Sequence, residues 1–231
     1  MDMRILEAAI AVSFQQDNFV RLKQSKAEES FKNITAQPSV NANQPDAADP
    51  GLPRIIIKDA SKGIAVSQLS ARLVLRLDKT GGLERQVQSV LENMDLFSNG
   101  VKELEGEDNI KDTALSFSAG VPSLKPINEL NPYIFNNYSK LEPIGDIIIS
   151  SFRTGFKTEE NLFLGIELGT YMQNEDKGER SSGYFLKVDL NNKPALAAAN
   201  NGALAAQSAI KTKFKSLVDS ELDKFFKKGL I

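Results

Sequence analysis

Five segments of this chain alternate apolar and polar residues at period two, and that alternation limits what the chain can become. In the first, Leu6, Ala8, Ile10, Val12 and Phe14 share one face, with Glu7, Ser13 and Gln15 on the other. In the run from Ile64 to Leu77, Leu69, Ala71, Leu73, Leu75 and Leu77 share a face, and Arg72 and Arg76 lie opposite. The pattern returns in Leu115, Phe117, Ala119 and Val121, in Leu162, Leu164, Ile166, Leu168 and Thr170, and in Tyr184, Leu186, Val188 and Leu190. Successive strand residues point to opposite faces, so each segment reads as a strand with one buried and one wet side. Arg54–Lys58 adds a short strand before the turn at Asp59–Gly63, and Asp146–Phe156 adds another.

Helical spacing fills the intervals. Asp17 to Ile34 carries Val20, Ala27, Phe31 and Ile34, with Asp17 as an N-cap. Leu83, Val87, Val90, Leu91 and Met94 form one continuous stripe that Asn99–Gly100 is placed to stop, although Val101 and Leu104 allow an extension. Pro126–Tyr138 reads as a short helix with Pro132 as its breaking point. Ala206, Ile210, Phe214, Leu217, Val218, Leu222 and Phe225 mark a long terminal helix, closed by Lys227, Lys228 and Gly229. Thr35–Pro53, with four prolines and little to bury, reads as a disordered-looking loop. The polar stretch Asn174–Gly183 and the segment through Pro194 and Asn200–Gly202 read as connecting loops.

Residues 3–121 thus run strand, helix, strand, strand, helix, strand, the order of a ferredoxin-like β-α-β-β-α-β unit. The expectation is an α+β protein with that unit over residues 1–122. Residues 123–231 then supply the short helix, a three-stranded antiparallel meander and the long C-terminal helix, packed with the first half as one globular unit.

The chemistry is bounded by what the chain lacks. It contains no histidine, cysteine or tryptophan. That removes the commonest general base, the thiolate nucleophile, thiolate zinc sites and disulfides. No catalytic constellation, metal or cofactor is predicted. A net charge of −2, from 28 basic and 30 acidic side chains, argues against a nucleic-acid coat or a membrane-surface protein. The apolar run Ile5–Phe14 is interrupted by Glu7 and preceded by Asp2, unlike a signal-peptide core, and no run approaches the ~20 apolar residues of a membrane span. The expected location is the cytoplasm.

Several candidate sites remain. Gly81–Gly82 before a helix lacks both phosphate-binding fingerprints and reads as a turn. Ser150–Ser151 lacks the glycines of a nucleophile elbow. Asp146, Glu167 and Asp189, on three successive predicted strands, are the carboxylates with the best opportunity to converge on a cation. In the ferredoxin-like reading the face away from the helices displays Glu7, Ser13, Arg72, Arg76, Ser116 and Ser118. Arg72 and Arg76 are its candidate ligand-binding residues, because guanidinium forks suit phosphate or carboxylate. That face carries no stacking aromatic, so RNA is not the favoured ligand. The acidic run Glu103, Glu105, Glu107 and Asp108, read as a loop, is a candidate partner-binding segment.

Three segments resemble a known family. Ile5-Leu6-Glu7-Ala8-Ala9-Ile10 resembles the Pro-Ile-x-Glu-Ala-x-Ile start of a sporadically distributed, uncharacterised bacterial protein family of about this length, without assigned activity. Leu52-Pro53-Arg54-Ile55-Ile56 is similar to its next segment, and Ile210–Phe225, with Phe214, Leu217 and Glu221-Leu222, to its C-terminal helix. The chain departs from it at Phe117-Ser118-Ala119-Gly120-Val121, where members show an Arg-Tyr-Ile-Asn-like stretch, and in lacking a histidine near the last helix. The resemblance implies a fold-sized unit with the patchy distribution of mobile-element, defence or toxin–antitoxin cargo, and carries over no catalytic residue.

The resulting expectation is a non-enzymatic protein-binding or regulatory module, antitoxin-like, immunity-like or defence-associated, with a protein partner and self-association as a homodimer. The alternative is a nucleotide- or phosphate-ligand-binding protein using Arg72 and Arg76.

Overall fold

The computed structural model describes residues 3–45, 47–78, 80–139, 142–174, 180–192 and 203–224. The expected end of the terminal helix (Phe225, Lys227, Lys228, Gly229), the loop at Pro194 and Asn200–Gly202, and residues 175–179 of the polar stretch Asn174–Gly183 lie outside these residues, whereas the ends of that stretch belong to strands. The fold is α+β. Nine strands form one antiparallel sheet: β1 (Arg4–Phe14), β2 (Val40–Asn41), β3 (Ile55–Lys58), β4 (Lys62–Val66), β5 (Ser70–Arg76), β6 (Ile110–Ser123), β7 (Phe152–Lys157), β8 (Phe163–Asn174) and β9 (Arg180–Asn191). Their spatial order is β2-β3-β4-β5-β1-β6-β9-β8-β7. Four helices occur among the described residues: α1 (Gln24–Phe31), α2 (Gly82–Glu105), α3 (Ile127–Tyr138) and α4 (Ala203–Ser216), the last continuing into a π-helical turn at Leu217–Glu221.

The sheet is larger than the sequence pattern suggests, and it crosses the expected division at residue 122. Ile64–Leu77 is not one strand. Ser67 folds it into a hairpin, its hydroxyl bonding the Ser70 carbonyl and accepting the Leu69 and Ser70 amides. A tight turn therefore forms with neither glycine nor proline at its tip. The four-strand ferredoxin-like unit and the separate meander accordingly give way to one continuous sheet, in which β6 bonds to β1 on one side and β9 on the other.

One face of the sheet carries the core. Ile57, Ile64, Leu73, Ile10, Leu115, Leu190 and Leu164 stand in register across seven strands, and all are buried. Burying each such side chain contributes about 1.5–3 kcal/mol. The helices cover this row: α2 packs on β1 and β5, α4 on β6 and β9, and α3 on β7, β8 and β9. Phe214 of α4 meets Phe117 edge-on with ring centroids 5.2 Å apart, and Tyr133 of α3 meets Tyr184 at 6.3 Å.

Several local features depart from the sequence pattern for identifiable reasons. The ladder slips between Ile5 and Glu7, so Leu6, expected inside, is 37% exposed. The buried Gln86 of α2 compensates at the slip: its Oε1 accepts the Ile5 amide at 2.9 Å and its Nε2 donates to the Ile5 carbonyl at 3.0 Å. Asp17 is not the expected N-cap: its side chain accepts the Phe19 amide ahead of a 3₁₀ turn at Val20–Lys23, and α1 follows as a shorter helix. Within Thr35–Pro53, β2 pairs with β3, and the fully buried Arg54 gathers the loop by donating to the carbonyls of Ala48, Asp49 and Leu52. Pro132 leaves α3 continuous. In the segment Asp146–Ser151, Asn131 of α3 donates to the Ile148 carbonyl, accepts the Ser150 amide and holds the Thr170 hydroxyl, and pairing begins only at Phe152.

Gly100 does not stop α2, which runs on to Gly106, a residue at φ 86°. The glycine is there for close packing against α1. A Cβ on it would lie 2.6 Å from the Phe31 ring and 2.7 Å from the Ser30 carbonyl oxygen. Alanine would raise helix propensity by about 0.8–1 kcal/mol, but displacing the backbone of α1 costs about 1–3 kcal/mol. Gly100→Ala is therefore expected to lower stability in urea denaturation by up to roughly 2 kcal/mol. A stabilised variant would contradict the close contact.

Candidate binding face

No helix packs on the second face of the sheet among the described residues, and strand register determines what it shows. Arg76, Glu7, Ser118, Lys187, Glu167 and Arg153 stand side by side on β5, β1, β6, β9, β8 and β7. The adjacent row runs Val74, Ala9, Ser116, Asp189, Gly165 and Gly155, and the next Arg72, Ala11, Ala114, Asn191, Phe163 and Lys157. Side chains are small along β6 and at Ala9 and Ala11 of β1. The Phe163 ring covers Gly155 and Gly165, 2.9 and 3.2 Å from where their Cβ atoms would be. Around this ring Ser116, Arg153, Glu167, Lys187 and Asp189 border an open depression of about 520 Å³.

Arg72 and Arg76 both project from this face and are exposed. Neither Arg72, Arg76, Arg153 nor Lys187 takes part in an ion pair among the described residues. Four residues of strand separate the two arginine Cα atoms by about 13 Å, with Val74 between them, so they flank a surface rather than forming one tight anion cradle. Phe163 and Phe185 give the face aromatic character. They escape a reading confined to residues 3–121, because the second half of the chain completes the same face.

The three carboxylates considered for a cation do not converge. Asp146 precedes β7, Glu167 stands between Lys187 and Arg153, and Asp189 accepts a hydrogen bond from Asn191. Among the described residues no group of three or more acidic side chains is placed to hold a metal ion. Three of the four tyrosines gather where α3 meets the sheet, Tyr133 and Tyr138 from the helix and Tyr184 from β9. Burial pushes the Tyr133, Tyr138 and Tyr184 hydroxyls up, Tyr184 to about 12 with help from its two neighbours, far from a working acid or base near neutrality.

The acidic run divides in two. Glu103 and Glu105 belong to the last turn of α2, whereas Glu107 and Asp108 lie in a 3₁₀ turn. Glu103, Glu107 and Asp108 are exposed. Glu105 is buried, and Lys23 bridges it to Asp17 at 2.7 Å on each side. Burial pushes Glu105 up, as does the nearby Asp17 carboxylate, and Lys23 only partly opposes this. Burial also works against ionised Asp17, but bonds from Lys23 and the Phe19 amide outweigh it and hold that carboxyl below its usual range. Lys23 loses some charge stability to burial, yet its two carboxylate partners raise it above its ordinary value.

No family model, curated protein or solved structure matches this chain, so the family resemblance assigns no residue to the face.

The signs of these shifts define a test. Asp17 contributes stability above the ordinary carboxylate range, and that contribution is lost as pH falls through its folded value. Ionised Glu105 works oppositely, and its cost is relieved by acid. The Lys23 contribution is complete below its ordinary value of 10.5 and is lost as pH rises through the higher folded value. Lys23→Met removes the cation between two inward carboxylates, leaving the Phe19 amide on Asp17 and the charge of Lys26 near Glu105. The expected loss is roughly 2–3 kcal/mol at neutral pH, less than for a fully buried pair because Lys23 is partly exposed. Part of it should return on acidification towards about pH 5, as the pair takes up a proton. Denaturation curves at the two pH values check this, and a loss independent of pH would contradict it.

Proposed function

We propose that this chain is a non-enzymatic protein-binding module of regulatory kind, antitoxin-like or immunity-like, that works through the helix-free face of its sheet. The observation that carries the reading is the one-sided cover: the second face keeps small, aromatic and oppositely charged side chains in ordered rows. A flat face with complementary charges and apolar patches suits macromolecular docking, where area and pattern supply specificity. The depression around Phe163 is open rather than enclosed, unlike a pocket that buries most of a small ligand. The chain's lack of histidine and cysteine, and the burial of Tyr133, Tyr138 and Tyr184, favour binding over chemistry. The separation of Arg72 from Arg76 favours a broad partner over a single phosphate. Glu103, Glu107 and Asp108 form a second, smaller candidate contact at the end of α2.

The test is a pull-down from the native host with three baits: wild type, Arg72→Glu/Arg76→Glu, and Glu103→Lys/Glu107→Lys/Asp108→Lys. Wild type is expected to retain a protein in fixed stoichiometry. The arginine variant should lose it at an unchanged melting temperature, and the acidic-turn variant should retain it in reduced yield. Equal retention by the arginine variant would contradict the use of this face. A strong 260 nm absorbance lost with Arg72 and Arg76 would replace the reading with nucleotide or nucleic-acid binding.

A further inference from the structure

The rows of the helix-free face have a symmetry that singles out one occupant. Counted outward from β6, the central row reads Ser118, then Glu7 and Arg76 on one side, and Lys187 and Glu167 on the other. Each position on one flank has its opposite charge at the same distance on the other. A two-fold axis parallel to the strands, passing over β6 between two stacked sheets, exchanges the flanks. It sets Ser118 on Ser118, Glu7 on Lys187 of the second copy and Arg76 on Glu167 of the second copy.

The neighbouring rows comply with the same operation. Arg72 and Val74 of β5 come to lie over Phe163 and Gly165 of β8 in the second copy, so a guanidinium and an apolar side chain meet the Phe163 ring. Ala9 meets Asp189 and Ala11 meets Asn191, each a small residue against a longer one. No like charges are brought together in these rows. Arg153 and Lys157 fall opposite β4 and its turn, at the rim. The small residues along β6, with Ala9 and Ala11 of β1, allow the roughly 10 Å sheet separation of face-to-face packing.

We infer that the helix-free face docks a second copy of this chain, as an isologous two-fold dimer centred on β6. The inference rests on the reading of this face as a protein-binding surface, and it names the partner. The matched region spans five strands and three rows, about 24 Å by 20 Å. That gives roughly 500 Å² per copy and about 1,000 Å² in all, near the lower limit for a specific interface and consistent with a dimer that dissociates on dilution.

Two charge reversals test the two-fold directly. In Glu7→Lys alone, both Glu7–Lys187 contacts of the dimer become pairs of cations. In Lys187→Glu alone, both become pairs of anions. In an equimolar mixture, one copy of each restores two opposite pairs. Light scattering after size exclusion is expected to give twice the 25.3 kDa chain mass for wild type at high concentration. Each variant by itself should weaken dimerisation at least tenfold, and the mixture should form a one-to-one heterodimer, identified by native mass spectrometry. Formation of the heterodimer also demonstrates that both variants are folded. A wild type that stays monomeric at every concentration overturns the inference, as does a dimer indifferent to both reversals. In either event the host pull-down judges the wider binding-face reading separately.

Discussion

The helix-free face depends on the register of β6, which bonds to β1 along one edge and to β9 along the other. This strand joins the two halves of the chain into one sheet and determines which side chains share a face. With β6 in place, Leu115 and Phe117 meet the helices, while Ser116 and Ser118 are turned to the opposite side beside Ala9, Glu7, Asp189 and Lys187. A slip of one residue would reverse both sets and bury charge under α2 and α4. The slip is opposed by the apolar row that crosses seven strands, whose summed burial far exceeds the fraction of a kcal/mol that a single cross-strand pair contributes. The charged rows are therefore a consequence of the core, and their pattern is free to serve binding.

The ends of the elements depend on individual polar side chains rather than on hydrophobic period. Gln86 compensates the ladder slip at Ile5, Asn131 engages the backbone ahead of β7, Arg54 gathers the loop before β3, and Lys23 joins two carboxylates near the end of β1. In each case the polar group lies largely inside and finds its partners through tertiary contact.

That division explains how much could be read in advance. The alternation at Ala8–Phe14, Leu115–Ala119, Leu162–Leu168 and Tyr184–Leu190, and the stripe of α2, were legible because burial on one face is a local and repeating demand. The hairpin inside Ile64–Leu77 was not, since its turn is made by a serine hydroxyl and carries none of the usual breakers. Gly100 misled for the converse reason: its sequence signal is that of a stop, but its role is to admit the Phe31 ring. Arg72 and Arg76 could be assigned to a common face from period alone. That Phe163, Glu167 and Lys187 complete that face required the pairing of β6 with β9, a long-range choice that local pattern does not encode.

One side of the sheet is uncovered among the described residues, and the proposed dimer would cover it with a second copy. The chain contains no cysteine, so a single introduced thiol reports on its own position. Thiol-labelling rates for Ser118→Cys and Ala119→Cys, adjacent on β6 but on opposite faces, test the claim most directly. Rapid labelling is expected at position 118 in dilute solution, slowing as concentration rises, and slow labelling at position 119 throughout. Equal protection of both positions at high dilution would contradict it, because the face would then be covered by the chain itself.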